Sequence, residues 1–341
     1  MHITLVDDSV RFDGYTAAAR PLGGAEKAFA SLPGALVRRG HTVSVMNNCR
    51  WSMTIEGVHW EPLDGRKPFT TDLLIAFRKP SLLQFIRQAG RRALWHTGPC
   101  RLLDRPAPRA LIAEHKPLLL LVSAAQAGGF DPKGLVAGLL PPAVGPDFRA
   151  HPHRQIPPPP VAVVTTHPAH GLDWLLDLWV GRIHPERPEA ELHVFSSSLA
   201  KIGDGAQPEP ELAAIAAKVA VARDHGVVVL RPGGDQSMAE SYRRARVHLY
   251  PGHADDVTAF TLMESQACGL PAVVRPLGAA PERIVNGVSG RVAPDDDAFA
   301  NLALLLLGDD QVQASEAAEA RALYHGRDWD AAAQALEAML R

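Results

Sequence analysis

Short apolar runs, rich in leucine or β-branched residues, recur along this chain with helix-length segments between them. They are "ITLV" at 3–6, "TVSVM" at 42–46, "LLIAF" at 73–77, "LLLLV" at 118–122, "VAVV" at 161–164, "LHVF" at 192–195, "VVVL" at 227–230, "VHLY" at 247–250 and "AVV" at 272–274. A strand that is apolar at every position has no face to show water, so it belongs in a sheet covered on both sides. Strands of that kind alternating with helices build parallel, doubly wound α/β units. A chain of 341 residues is long enough for two of them. The rhythm breaks once, at "HPHRQIPPPP" (151–160), where proline fixes the backbone and removes ladder donors. The expected architecture is therefore two Rossmann-like domains facing each other across a cleft. An N-terminal domain takes 1–150, a proline-rich hinge 151–160 and a C-terminal domain 161–327. The terminal "DWDAAAQALEAMLR" (328–341) predicts a last amphipathic helix that packs back across the junction.

Bulk chemistry removes several classes of function. The net charge is -2 and no basic motif is interleaved with aromatics, so nucleic acid is not an expected partner. Cys49, Cys100 and Cys268 have no paired spacing, which fits reduced thiols in a cytoplasm. "MHITLVDDSV" lacks the basic and long apolar regions of a secretory signal, and "PLLLLVSAA" is too short to span a bilayer. A cytoplasmic protein is expected. One region departs from this neutral balance: between Arg78 and Lys116 lie nine Lys or Arg against two acids. Within it "SLLQFIRQAGRR" (81–92) reads as a helix with Leu82, Leu83, Phe85 and Ile86 on one side. Core packing beneath a solvated basic face explains it most simply. The alternative is peripheral contact of 78–116 with an anionic bilayer, at about 1 kcal/mol per cation near the surface. The pairs His151/His153 and His167/His170 have no cysteine or carboxylate at ligand spacing, so no metal site is expected.

The stretch "DDVTAFTLMESQACGLPAVV" (255–274) sets two acids, Asp256 and Glu264, either side of a short helix start. Thr261 and Glu264 have capping-box spacing, Gly269 suits a C-terminal cap, and Pro271 follows where a helix cannot continue. On that account Glu264 needs no ligand. The same geometry also serves one. Free N–H groups at a helix start suit a phosphate, a carboxylate can accept both hydroxyls of a ribose, and an acid one loop earlier reaches a sugar hydroxyl.

The ordered set Asp256, Glu264, Gly269, Pro271, Gly278, Pro281, Glu282, Gly287 and Gly290 resembles the donor-binding region of family-4 glycosyltransferases of the GT-B fold. "PLGGAEKAF" (21–29) resembles that family's Gly-Gly-x-Glu loop, and "LVRRGHTVSVM" (36–46) its entry to the second strand. "LLPPAVGPDFR" (139–149) and "HGLDWLLDLW" (170–179) resemble the approach to the hinge and the first helix beyond it. The resemblance implies transfer of a sugar from a nucleotide-diphosphate sugar to an acceptor hydroxyl, with retention of anomeric configuration. It implies no cofactor and no required metal, and a place in bacterial-type polysaccharide or glycolipid synthesis. Carried over by position, Glu264 would hold the ribose and the helix start at Phe260 and Thr261 would meet the diphosphate. Asp256 would contact the donor sugar or steady positive charge at its anomeric carbon, with His96 nearby. Gly23, Gly24 and Glu26 would line the acceptor side.

Where family members carry an arginine and, five residues later, a lysine or arginine before glycine, this chain has Thr165, His170 and Gly171. Two charged hydrogen bonds of roughly 1.5–3 kcal/mol each, lost without replacement, would weaken donor binding by roughly a hundredfold to ten-thousandfold. His170 protonated beside a phosphate would keep part of that role; Arg231, Lys201 and Arg275 are the other candidate cations. The alternative function is a catalytically degenerate GT-B protein that binds nucleotide sugars or serves as an assembly partner.

Overall fold

The apolar runs become parallel strands in each of two units. The computed structural model describes residues 1–150 and 157–341. One unit is Met1–Ala143 with Arg327–Arg341, the other Val144–Gly326.

In the first unit the strands are β1 (His2–Val6), β2 (Thr42–Asn47), β3 (Met53–Ile55), β4 (Val58–Pro62), β5 (Thr70–Phe77), β6 (Gln88–Trp95), β7 (Leu118–Leu121) and β8 (Ala137–Leu139). Their order is β3-β4-β2-β1-β5-β6-β7-β8, and only β3 with β4 is antiparallel. The chain leaves β1 toward β2 and later returns to its other side as β5, so a topological switch point lies between β1 and β5. An aromatic row, Phe12–Phe29–Phe77–Trp95, fills one layer with ring centroids 5.8, 4.9 and 5.2 Å apart.

The helix expected over 81–92 does not form. A 3₁₀ turn, Pro80–Gln84, leads instead into β6, which pairs with β5 from Thr70↔Gln88 to Phe77↔Trp95. Leu82, Leu83 and Ile86 are buried in the core, and Arg92 donates to the carbonyls of Leu83, Ile86 and Arg87 at 3.0, 3.2 and 2.9 Å. A full-length parallel ladder outweighs weak helix propensity in a segment containing Gly90. The basic amphipathic helix on which bilayer contact rested is therefore absent. Among the described residues no helix is long and apolar enough to cross a membrane.

The last helix, Trp329–Met339, is capped by Asp328, whose carboxylate accepts from Ala331 N at 2.9 Å, and it packs on the Gly24–Arg38 helix within the first unit. Glu337 fastens it, accepting from Arg39 at 2.8 and 2.7 Å and meeting His41 Nε2 at 2.9 Å. The hydrogen bonds from Arg39 and then His41 hold the Glu337 carboxyl down to about 2. Its folded value is depressed, so its stabilisation is complete above the ordinary value of 4.5 and fades as pH falls toward 2. Glu337→Gln is expected to cost about 1 kcal/mol at pH 7 once solvent screening is allowed for. In urea titrations the gap between variant and parent should close toward pH 2; a gap independent of pH would refute the assignment.

The second unit holds β9 (Val161–Val164), β10 (Glu191–Phe195), β11 (Val227–Leu230), β12 (Val247–Tyr250), β13 (Ala272–Val274) and β14 (Gly290–Val292). All its pairs are parallel, in the order β11-β10-β9-β12-β13-β14. Strand β9 shows why its sequence is apolar throughout. Ala162 and Val164 join one layer with Leu172, Leu175 and Trp179, while Val163 joins the opposite layer with Tyr242, Met263 and Phe148. Order reversal between β9 and β12 places a switch point at their carboxyl ends. Of the segment expected as a hinge, 151–156 lie outside the described residues, and His151 and His153 with them. Pro158 and Pro160 belong to the second unit, their carbonyls accepting from Arg246 Nη1 at 3.2 Å and Glu191 N at 3.1 Å.

Candidate functional site

At the switch point of the second unit, the loop after β9 meets the loop after β12 and the helix that follows it. Gly171 makes the meeting possible: its φ is +93°, and a Cβ there would lie 2.9 Å from Pro251 Cβ. The second loop is shaped by Asp256. Its Oδ1 accepts from Ala259 N at 2.8 Å and Thr258 N at 3.3 Å, and its Oδ2 accepts from the Tyr250 hydroxyl. Burial, with the Asp256 charge adding to it, pushes the Tyr250 phenol well above its ordinary range, so Tyr250 keeps its proton as a donor. This loop ends at Ala259 in the left-handed region (φ 47°, ψ 50°), and the Phe260–Ala267 helix begins with no side-chain cap. The capping box anticipated between Thr261 and Glu264 is thus not formed. Among the described residues no side chain caps the helix start that carries the Phe260, Thr261 and Leu262 amides, an arrangement suited to an anion.

Thr261 is tied sideways. Its hydroxyl accepts from Thr165 at 2.8 Å, and Thr165 Oγ1 lies 3.1 Å from His248 Nε2, whose Nδ1 is 2.7 Å from Ser265 Oγ. Burial pushes His248 down to about 3. The sign follows: the unfolded chain takes the proton first, so stability is full above about 6.5 and falls by about 1.4 kcal/mol per unit as pH drops toward 3. His248→Gln should therefore remove about 3 kcal/mol of the stability loss between pH 6.5 and 4.5. Denaturant midpoints across that range give the check, and an unchanged acid slope in the variant would contradict it.

Glu264 is 2% exposed, inside the same helix and close enough to raise the Tyr242 phenol electrostatically, after burial as the larger cause. His170 sits one residue before Gly171. Its ring stacks on His253 with centroids 4.3 Å apart and planes at 12°, and meets His167 edge-on at 5.5 Å. Burial first, then the neighbouring histidines His253 and His167, lower the His170 pKa, against the opposing pull of Asp256 and Asp255. His253 and Asp255 are not anticipated from sequence, and His167 enters there only as half of a rejected metal pair. Among the described residues no group of three His, Cys, Asp or Glu is placed to hold a metal ion. Of the other cations, Arg231 pairs with Asp204, and Arg275 lies 4.5 Å over the Trp174 ring.

In the first unit, Gly23 is the N-cap of the Gly24–Arg38 helix, and a Cβ on it would collide with the carboxylate of Glu26. Glu26 is paired with Arg78 at 2.6 Å, across the β1/β5 switch point. Lys79 pairs with Asp8 at 2.8 Å beside them, and burial raises the Asp7 carboxyl. Sequence reasoning misses Arg78, Asp7 and Asp8 because their proximity to Glu26 depends on sheet order. His96 is 4% exposed, with Nδ1 3.2 Å from Arg78 O and Nε2 3.3 Å from Pro99 O. Both ring nitrogens thus face backbone carbonyls.

Residues 160–309 match the family model described as "Glycosyl transferases group 1". Among curated proteins this chain is similar to D-inositol 3-phosphate glycosyltransferase of Xylanimonas cellulosilytica, 35% identical over 128 residues, which is 37% of this chain and 30% of that protein. It is also similar to phosphatidyl-myo-inositol mannosyltransferase of Mycolicibacterium smegmatis, 33% identical over 97 residues, 28% of this chain and 25% of that protein. The match spans 30% and 38% of the length of two such relatives. Among solved structures, sucrose-phosphate synthase of Thermosynechococcus elongatus superposes with TM-score 0.72 at 14% identity, over 100% of this chain and 98% of that one. HepE of Anabaena in complex with UDP and glucose superposes with TM-score 0.70 at 14% identity, over 100% and 99%. These structural likenesses establish the GT-B fold for the chain.

Proposed function

We propose that this protein transfers a sugar from a nucleotide-diphosphate sugar to an acceptor hydroxyl, with retention of anomeric configuration and without a metal. The observation that carries the reading is the uncapped start of the Phe260–Ala267 helix at the β9/β12 switch point, with Asp256 before it and Glu264 within it. There the ribose falls to Glu264 and the diphosphate to the amides of Phe260, Thr261 and Leu262. Asp256, oriented by Tyr250 and two amides, holds a negative charge near the position of the transferred sugar. A leaving phosphate held in this way can take the acceptor proton, so no separate strong base is required. Gly23, Gly24 and the Glu26–Arg78 pair form the polar cluster of the first unit from which an acceptor would be held. Relatives named for inositol phosphate and phosphatidylinositol favour a polyol or glycolipid acceptor.

A second reading, a nucleotide-sugar binder without turnover, is favoured by one feature. Both Asp256 oxygens are already engaged by the loop, and threonine and histidine stand where the family carries cations. The two are separated by incubating the protein with UDP-, GDP- and ADP-sugars and a panel of polyol and glycolipid acceptors, with excess EDTA. Product of retained configuration by NMR supports transfer. Binding by calorimetry with neither transfer nor donor hydrolysis supports the binder, and no binding of any donor defeats both.

A further inference from the structure

Three imidazoles gather at the carboxyl ends of β9 and β12: His167 and His170 from one loop, His253 from the other. The backbone treats them unequally. His253 Nδ1 accepts from Asp255 N at 3.1 Å and His167 Nδ1 from Ala169 N at 3.3 Å. Each of these Nδ1 atoms is thus occupied as an acceptor, which leaves Nε2 as the nitrogen of each ring that can donate outward. Among the described residues, neither ring nitrogen of His170 has a hydrogen-bond partner, so it alone can gain a proton without breaking a bond. Its parallel stack on His253 tolerates one positive charge and not two. The titratable groups facing His170 are His167 from its own loop and His253, Asp255 and Asp256 from the other. Of these acids, Asp256 is turned onto the Tyr250 hydroxyl and two amides, which leaves its charge largely satisfied before an anion arrives.

We propose that His170 is the phosphate-facing cation of this chain, taking up a proton as the diphosphate of a nucleotide sugar docks, while the fixed Nε2–H groups of His167 and His253 donate to the same anion. Donor affinity is then set by pH, in contrast to a site built from arginine and lysine. The inference rests on the donor reading above. Its sign is definite. His170 is mostly neutral near pH 7 before binding and is favoured as a cation beside the diphosphate, so affinity falls as pH rises.

The test is calorimetry of UDP-glucose and GDP-mannose, whose diphosphate bridges keep two negative charges throughout, at pH 6, 7 and 8. Each titration is run in two buffers of different ionisation enthalpy. The parent protein should take up a fraction of a proton near pH 7 and bind about tenfold more weakly at pH 8 than at pH 6, within the one-proton limit of tenfold per unit. His170→Gln should bind at pH 6 as weakly as the parent at pH 8, with no proton uptake. His170→Arg should restore tight binding and make it independent of pH. His170 is only partly buried, and circular dichroism of both variants should match the parent. Binding without pH dependence, or proton uptake that persists in His170→Gln, overturns this proposal and leaves the donor site standing. No binding of either sugar nucleotide at any pH overturns both.

Discussion

Glu264→Gln is expected to bind its sugar nucleotide about a hundredfold more weakly while melting within a few degrees of the parent. The exchange keeps shape and hydrogen-bonding capacity but removes the charge. Two ribose hydroxyls donating to a carboxylate are each worth about 1–1.5 kcal/mol more than the same bonds to an amide, and about 2.7 kcal/mol is a hundredfold in affinity. Stability responds differently. Glu264 is 2% exposed, and a buried carboxylate costs more to desolvate than a buried amide, which offsets any weakening of its bonds within the fold. Calorimetry beside a thermal melt therefore distinguishes the roles. A residue that only braces the helix would lower the melting temperature and leave affinity alone, and that result would move the donor site elsewhere.

Gly278→Ala should be the most disruptive single-methyl change in the second unit. Its φ of +56° disfavours any side chain, and the added Cβ would strike the carbonyl oxygens of Asp256 and His253, the latter at 2.5 Å. These are backbone atoms of the loop that carries Asp256 and His253, so they cannot swing away as a side-chain tip would. Left-handed strain alone is worth about 1 kcal/mol, and displacing packed backbone brings the expected loss to about 3 kcal/mol or more. The melting transition of the second unit should drop by about 10 °C, with donor binding lost alongside. Gly287 supplies the control. It has φ +78°, and a Cβ added there would meet nothing within 4 Å, so Gly287→Ala should cost only about 1 kcal/mol. Equal losses at the two sites would refute the packing argument.

Much of the fold is readable in the sequence because burial on both faces leaves a local trace. The strands "ITLV", "VAVV", "VHLY" and "AVV" are apolar at consecutive positions, and each forms a parallel strand where expected. Strands β3, β4, β6, β8 and β14 are not legible in this way, because they are short or carry polar residues and none is a continuous apolar run. The segment 81–92 shows the limit plainly. Leu82, Leu83 and Ile86 are core residues, as their pattern predicts, yet the backbone that follows them joins the β5 ladder.

The candidate site divides along the same line. Asp256 and Glu264 stand out by their spacing, a property of a few adjacent residues, whereas Gly171 and Gly278 enter the sequence reading only through the family resemblance. That Asp256 spends its carboxylate on Tyr250 and the Ala259 amide, and that Thr261 answers to Thr165 rather than Glu264, depends on how two loops converge. The stack of His170 on His253 cannot be read along the chain at all. The sequence by itself determined which segments are strands buried on both faces and which short stretch can start an uncapped helix beside two acids. Only the tertiary structure decided which histidines, hydroxyls and acids meet. The physical reason is that hydrophobic periodicity acts over a few residues, whereas the adjacency of β9 and β12 is set by the packing of the whole sheet.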